Sequence, residues 1–293
     1  MNVTAGDKIF YLIIFIILSA FFIIVLYPCI FVISASISSS SAVMSGKVLL
    51  WPVGFNTEGY KIVFNTPNVW IGFRNSIFYT VAGTCLNIFM TMTTAYCLSR
   101  NDFPLRNLFM FFFSFTMFFS GGLIPSYLLI RRLGMINTRW ALIIPGALGV
   151  YNMIIAKTFI QHNIPQEMLD AAKIDGCSDI YYYIRIVIPL SQAIIAVLVL
   201  FSAVGHWNAY FNAMIYIYDK NKLPLTIFLR EILLSTQIDP STVEDPELQM
   251  RIAEAASIIK YSLIVVTIVP IIIIYPFVQK YFVKGIMIGS IKG

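Results

Sequence analysis

Three carboxylates recur at roughly helical spacing in one stretch of the chain: Asp170, Asp175 and Asp179. Such side chains act as general acids or bases in enzymes, and on a docking surface they form ion pairs with a basic partner. Two small residues, Ala171 and Ala172, follow the first carboxylate and let another surface approach closely. Because the sequence has no metal-ligand cluster, no H-E-x-x-H motif and no nucleophile elbow, we favour docking over catalysis.

Two short predicted helices, separated by a glycine turn, position these residues. Pro165 suits the first turn of the first helix, and Gly176 suits a left-handed residue at its end. Ser178 can cap a second helix, and Pro189 prevents that helix from continuing cleanly. The positions i, i+3, i+4 and i+7 that share one face of the first helix are Met168, Ala171, Ala172 and Asp175.

The composition is that of a membrane protein. Of the 293 residues, 59% are hydrophobic and 12% are charged, whereas a soluble domain carries about 25% charged residues. Basic flanks of membrane spans explain the net charge of +6 more simply than nucleic-acid binding does. The four cysteines lack CxxC spacing, so we expect neither a metal site nor a disulfide framework.

Long stretches without charged residues predict six membrane-spanning helices, because a span requires roughly 17–25 apolar residues. The first stretch is longer than the apolar region of a signal peptide, so we expect it to be retained. We therefore predict an all-α membrane protein with one domain, 1–293, and with both termini on the same side. The predicted spans are about 9–35, 71–98, 107–130, 140–160, 187–212 and 258–280.

The stretch 161–190, between the fourth and fifth predicted spans, resembles the cytoplasmic EAA loop of membrane subunits of ATP-binding-cassette importers. That loop reads Glu-Ala-Ala, three residues, Gly, nine residues, then Ile-x-Leu-Pro. Two positions depart from it, Asp170 in place of Glu and Ile188 in place of Leu, and both keep the charge or the shape. A second EAA triplet, at 254–256, lacks the rest of the pattern. The residues assigned to the loop are Asp170, Ala171, Ala172, Asp175, Gly176, Ile186 and Pro189.

Other segments resemble the carbohydrate branch of these permeases. They include A-Y-x-L-S-R at 95–100, L-G-L-x-N-T at 133–138 and W-N-x-[YF] at 207–210. The ending 275–293 closely resembles that of one permease branch, YPF-x-QKYF-x-KG-x-MIG-x-x-KG. The resemblance implies a type I importer permease fold, with cytoplasmic coupling helices in 161–190 and a saccharide substrate.

Two sets of candidate residues follow from this resemblance. Polar and aromatic residues near the ends of spans two and five are candidates for the saccharide path, although an interfacial aromatic belt explains the same pattern. In such permeases the tail reaches the ATPase subunits, although a plain basic flank is the simpler alternative. The path candidates are Asn75, Trp207, Asn208, Tyr210 and Asn212, and the tail candidates are Lys284, Gly289, Lys292 and Gly293.

The resemblance also implies partners: a second homologous permease, two ATPase subunits, an extracytoplasmic solute-binding protein, a saccharide and membrane lipid. This chain has no G-x-x-x-x-G-K-[ST] phosphate loop, so ATP and Mg²⁺ are expected on the ATPase subunits, with no cofactor and no enzymatic activity here. The expected location is the bacterial cytoplasmic (inner) membrane, with both termini cytoplasmic. Arg131, Arg132 and Arg139 would then lie outside, against the positive-inside rule.

Three alternatives remain open at this level. A permease for a peptide or another solute also carries an EAA loop, but the tail and the W-N pattern argue against it. A secondary transporter would need coupling charges within its spans, and the six stretches contain none. A membrane-embedded enzyme would need a convergent catalytic set, which we do not find. The sequence identifies neither the saccharide nor whether this subunit contacts it.

Overall fold

The computed structural model describes residues 5–235 and 246–290, and within these ranges the chain forms helices and no β-strand. The predicted all-helical fold is therefore confirmed. Contacts divide the chain into two compact units. The first is Met1–Val69 with Leu229–Val269, and the second is Trp70–Phe228 with Pro270–Gly293.

The first unit is built around one long apolar helix. Ala35, Ala42 and Val48 form its buried cluster, against which Tyr261 packs. Ser262 donates a hydrogen bond to the Ser36 carbonyl at 3.3 Å. Its helices are α1 (Ala5–Ser36), α2 (Ser40–Met44), α3 (Glu58–Asn65) and the first part of α15 (Pro246–Ser290), and residues 229–235 at the end of another helix also belong to it.

The remaining helices lie wholly or partly in the second unit. They are α4 (Pro67–Ser99), α5 (Arg106–Phe118), α6 (Leu123–Arg132), α7 (Trp140–Ile143), α8 (Val150–Asn163), α9 (Gln166–Ile174), α10 (Asp179–Tyr182), α11 (Ile188–Leu190), α12 (Gln192–Asn208), α13 (Phe211–Tyr216) and α14 (Leu225–Ser235). A π-helical turn, Tyr183–Val187, joins α10 to α11, and a 3-10 turn, Lys220–Lys222, precedes α14.

Three helices of the described ranges are long and apolar enough to cross a membrane: α1, α4 and the part Ala256–Ile274 of α15. Two bent pairs raise the number to five if each pair is one span. They are α5 with α6, bent by 117°, and Asp179–Leu190 with α12, bent by 80°. The predicted span 140–160 is divided between α7 and α8 and is not among them. The number six therefore stays a prediction.

Two breaks in the helical backbone, one between α5 and α6 and one between α7 and α8, have local explanations. Gly122 separates α5 from α6 with φ of 83°, a left-handed conformation that favours glycine. Between α7 and α8, the carbonyls of Gly146 and Ala147 accept hydrogen bonds from the amide of Asn87 on α4, at 3.0 and 3.3 Å. Non-helical backbone is tolerated at membrane depth where neighbouring groups satisfy it in this way.

One buried cluster holds the centre of the second unit together. Met92 of α4, Met153 of α8 and Leu198 of α12 belong to it, as does Leu169 of α9. Burying apolar side chains contributes roughly 25 cal/mol per Å² of apolar surface removed from water. Because Leu169 lies in this cluster, α9 is attached to the helical core along one face.

Candidate functional site

Helix α9 exposes most of the residues that the sequence assigns to the loop. Asp170, Ala171 and Asp175 are exposed, and Ala172 is half-buried. The face predicted from periodicity is thus largely open to the surroundings. Beside it, the side chain of Ile174 is 87% exposed. An aliphatic sec-butyl group in that position leaves apolar surface available to a partner.

The predicted glycine turn and second helix are both present. Gly176 has φ of 76° and donates its backbone N–H to the carbonyl of Lys173 at 3.0 Å. Cys177 donates to the carbonyl of Ala172 at 2.9 Å, which closes the end of α9. Ser178 then caps α10 by accepting a hydrogen bond from the backbone N–H of Tyr181 at 3.3 Å.

The turn forms one wall of an open cavity of about 550 Å³. Four of the residues assigned from sequence line it, namely Ala172, Asp175, Gly176 and Ile186. Asp170 and Ala171 are not part of this lining, and Pro189 lies exposed in α11. The fold therefore brings together residues that are up to 14 positions apart in sequence (186 minus 172).

An ion network that the sequence did not reveal attaches α9 and α10 to the end of α4. Arg100 donates from Nε to Asp102 Oδ1 at 2.8 Å and from Nη2 to Oδ2 at 2.5 Å, and its Nη1 donates to Asp179. Lys173 of α9 donates from Nζ to Asp102 at 2.8 Å. We call Arg100, Asp102, Lys173 and Asp179 the inner ion network.

The inner ion network has a strong electrostatic signature. Hydrogen bonds from Arg100, and then from Lys173, hold the pKa of the Asp102 carboxyl well below its usual range. The same contact with Asp102 raises the pKa of Arg100, against the opposing effect of burial. The Arg100 side chain is only 12% exposed, so its charge lies largely away from water and close to both carboxylates.

Aromatic stacking supports this attachment. Tyr96, one turn before Arg100 on α4, stacks on Tyr183 with ring centroids 5.0 Å apart. Tyr183 also shares a hydrogen bond with Thr93 at 3.3 Å. Tyr182 is buried in the same region. The aromatic run that follows Ser178 is thus packed against α4, which fixes α10 relative to that helix.

The five candidates for the saccharide path separate into two groups. Asn75 is fully buried, and its amide donates to the carbonyls of Asn221 and Leu223 at 2.8 and 3.1 Å. Trp207 is buried with its ring edge-on to Phe73, centroids 5.8 Å apart. These contacts give Asn75 and Trp207 packing positions. The exposed members are Asn208, Tyr210 and Asn212.

The tail candidates lie only partly within the described residues. Lys284 and Gly289 belong to α15, which continues as a helix to Ser290. Lys292 and Gly293 lie outside the described ranges.

Comparison with known proteins finds similar chains, although no family model matches. The chain is 39% identical to the polygalacturonan/rhamnogalacturonan transport system permease protein YtcP of Bacillus subtilis (strain 168), over 98% of this chain and 99% of that protein. It is 40% identical to Protein LplC of the same organism, over 92% of this chain and 90% of that protein.

A solved structure agrees with these relatives. It is a chain of a bacterial ABC transporter involved in the import of the acidic polysaccharide alginate, with a TM-score of 0.85 and 32% identity, over 96% of this chain and 99% of that one. The family resemblance inferred from the motifs is therefore confirmed, and the apolar helices are those of a multi-pass membrane protein. The chain belongs to the permease subunits of carbohydrate ATP-binding-cassette importers.

Proposed function

We propose that this chain forms, with a second permease, the membrane path of an ATP-driven importer for an acidic oligosaccharide or polysaccharide. Two similarities support the acidic class. One relative is named for polygalacturonan and rhamnogalacturonan transport, and the similar solved structure belongs to an importer of alginate. Polygalacturonan and rhamnogalacturonan are polymers that contain galacturonic acid, and alginate is described as an acidic polysaccharide.

The observation that carries the coupling role is the exposed α9 face beside a left-handed Gly176, with α10 tied to α4. Asp170 and Asp175 are exposed, and both can form ion pairs with an ATPase subunit, although Asp170 also accepts a hydrogen bond from the Gln166 amide at 3.3 Å. Ala171 and Ala172 allow close contact. The exposed Ile174 supplies apolar area to the same contact. From the resemblance of the chain ending, we also propose that the tail residues Lys284, Gly289, Lys292 and Gly293 take part in contact with the ATPase subunits.

The proposed mechanism is alternating access. ATP and Mg²⁺ bind to two ATPase subunits, and an extracytoplasmic solute-binding protein delivers the saccharide. Movement of an ATPase subunit displaces α9, and the inner ion network carries this displacement to the end of α4. Ile186 and Pro189 set the start of the next span. Asn208, Tyr210 and Asn212 offer amide and phenol groups to sugar hydroxyls. Six spans with both termini cytoplasmic complete the arrangement.

Substitution of Gly176 tests the coupling role. Nothing lies within 4 Å of a Cβ placed on this residue, so a new side chain acts only through the backbone conformation. A β-branched residue is strained at φ of 76°, whereas asparagine tolerates it. Valine in this conformation is strained by roughly 1–2 kcal/mol, which corresponds to about a tenfold change in an equilibrium. We therefore expect Gly176→Val to lower saccharide uptake and substrate-stimulated ATPase activity about tenfold.

The matched control is Gly176→Asn, which should retain both activities. Both variants should insert in the membrane in wild-type amounts, measured by immunoblot of the membrane fraction. Wild-type uptake by Gly176→Val, at equal abundance, would contradict the assignment of this turn to ATPase coupling.

A further inference from the structure

The outer end of the second unit carries an unusual concentration of positive charge. Within Trp70–Phe228, every acidic residue except Asp219 lies between positions 102 and 179, on the side assigned to the cytoplasm. The predicted outside segments of this unit therefore have one carboxylate and six cations. We call these cations the outer basic rim: Arg74, Arg131, Arg132, Arg139, Lys220 and Lys222. This distribution opposes the positive-inside rule.

Hydrogen bonds fasten two of the segments that carry this rim to each other. Asn137, between α6 and α7, has φ of 57° and donates its backbone N–H to the carbonyl of Tyr216 at 2.7 Å. Its side-chain oxygen accepts from the backbone N–H of Asp219 at 3.0 Å. Lys222 donates from Nζ to the Asn137 carbonyl at 2.9 Å. The loop after α6 and the segment before α14 therefore form one structure.

The same segment is fastened to the beginning of α4. Asn75 donates to two of its carbonyls, as described above, and Tyr79 donates to the carbonyl of Lys222 at 2.6 Å. Ser76 accepts from the backbone N–H of Leu225 at 2.9 Å. Arg74 precedes Asn75 directly. The beginning of α4, the loop after α6 and the segment before α14 thus form one hydrogen-bonded platform. Four rim cations lie on these segments, and Arg131 and Arg132 end α6 directly before the loop.

Two of the six cations are engaged within the platform. Arg139 lies over the ring of Phe78 at 5.0 Å and donates to Asn75 at 3.3 Å. Lys222 pairs with Asp219 at 3.2 Å. The pKa of Asp219 is lowered, first by the backbone N–H of Asn221 and then by Lys222.

The other four are exposed and have no carboxylate partner within residues 5–235 and 246–290: Arg74, Arg131, Arg132 and Lys220. We propose that they form an extracytoplasmic docking surface for the carboxylates of an acidic saccharide before it enters the path. This inference rests on the proposed function, which supplies an acidic substrate. A guanidinium offers a planar pair of N–H donors that matches a carboxylate.

A polymer with one carboxylate per sugar engages several of these cations at once, so weak individual contacts combine. The exposed Asn208 and Tyr210 lie at the end of α12, where Ala209 accepts a hydrogen bond from Thr226 at 3.1 Å. Their amide and phenol groups would provide neutral contacts to the sugar hydroxyls. The positive-inside rule disfavours arginines in outside segments. Binding of an acidic substrate gives a reason for this chain to have them there.

Kinetics of the complete importer test the proposal. The variant is Arg131→Gln/Arg132→Gln, in proteoliposomes of phosphatidylcholine that contain the second permease and the ATPase subunits, with the binding protein added outside. The probes are trigalacturonate and its neutral methyl ester. We expect KM for trigalacturonate to rise about threefold to tenfold with kcat unchanged, and KM for the ester to stay constant. The rise should shrink between 20 and 300 mM salt because the Debye length shortens.

The control variant is Lys47→Gln/Lys61→Gln, which removes two exposed cations from the first unit and should leave both KM values unchanged. An equal rise in KM for the two probes would assign the arginines to the binding protein and overturn the proposal. A rise in KM that occurs only after phosphatidylglycerol is added to the vesicles would assign the arginines to lipid binding. That result, or an unchanged KM for trigalacturonate, would also overturn the proposal. If the wild-type importer takes up only the neutral ester, the proposed acidic substrate itself is wrong.

Discussion

Arg100 connects three parts of the chain through a single side chain. It holds Asp102 with two hydrogen bonds, reaches Asp179 at the start of α10 and donates to the hydroxyl of Tyr96 at 3.2 Å. A guanidinium that is largely shielded from water is costly unless its hydrogen bonds are satisfied. Because Lys173 also contacts Asp102, removal of Arg100 would loosen α9 and α10 together.

We expect Arg100→Gln to lower the amount of saccharide transported per ATP hydrolysed about twofold to tenfold, because glutamine cannot join both carboxylates. Arg100→Lys should recover part of this ratio, since it restores charge without the paired geometry. The control is Arg106→Gln. This change removes another cation from the same turn, but Arg106 donates to the neutral side-chain amide of Asn101 and joins no carboxylates among the residues that the structure describes. Coupled uptake and ATPase assays measure the ratio, and a wild-type ratio in Arg100→Gln would contradict the link.

The pKa of Asp102 sets the pH range of this link. Its folded pKa is lowered, so its stabilising contribution is fully present above the unfolded value of about 3.9 and is lost as pH falls through the folded value. Protonation of Asp102 should therefore cause no change in the ratio of saccharide transported to ATP hydrolysed between pH 5 and 8. A change in this ratio between pH 5 and 8 that disappears in Asp102→Asn would show that the Asp102 carboxylate is not paired as described.

At the scale of elements, the packing of α4 against α12 depends on Gly83. A Cβ placed on Gly83 would lie 2.5 Å from Cε1 and 2.6 Å from Nε2 of the His206 ring. Real Cβ atoms do not approach other atoms so closely, so either the His206 ring or the spacing of the two helices would have to change. The His206 ring therefore packs directly against the backbone of Gly83.

Gly83→Ala should therefore destabilise the chain by about 1–3 kcal/mol through overpacking. Gly205→Ala is the matched control, because it lies on α12 next to His206 and nothing lies within 4 Å of its added methyl group. In a helix that change should stabilise by roughly 0.5–1 kcal/mol. Thermal unfolding of the purified protein in detergent should give a lower Tm for the first variant only. Equal Tm values would mean that His206 moves freely aside.

Local pattern was sufficient to predict the short elements of the loop. Gly176 and Ser178 act within a few residues of their own positions, so their roles can be read along the chain. The contact between Arg100 and Asp179 spans 79 positions and depends on how α4 packs, which no local rule supplies. Likewise, Asn75 was predicted as a path residue because it is polar near a span end, and that assignment stays a prediction. Its hydrogen bonds to Asn221 and Leu223 span 146 and 148 positions, so no local rule could predict them.

At the scale of the whole molecule, hydropathy predicted the helical class correctly, whereas the predicted number of six spans stays a prediction. Counting charge-free stretches treats 140–160 as one segment, whereas the backbone is interrupted after Ile143 and resumes as a helix at Val150. Proline and glycine at 145 and 146 favour this interruption, and Asn87 satisfies the carbonyls it exposes. Whether 140–160 still crosses decides the sidedness of everything that precedes and follows it.

Two introduced cysteines distinguish the possibilities. Leu133→Cys lies before this segment and Ile174→Cys lies after it, at positions whose native side chains are 61% and 87% exposed. In a background with the four native cysteines replaced by alanine, a membrane-impermeant maleimide should label the first in intact protoplasts and the second only after permeabilisation. Labelling of both in intact cells would mean that 140–160 does not cross. The Asp170–Gly176 surface and the outer basic rim would then lie on the same side, and an ATPase and an extracellular saccharide could not both reach the surfaces proposed for them.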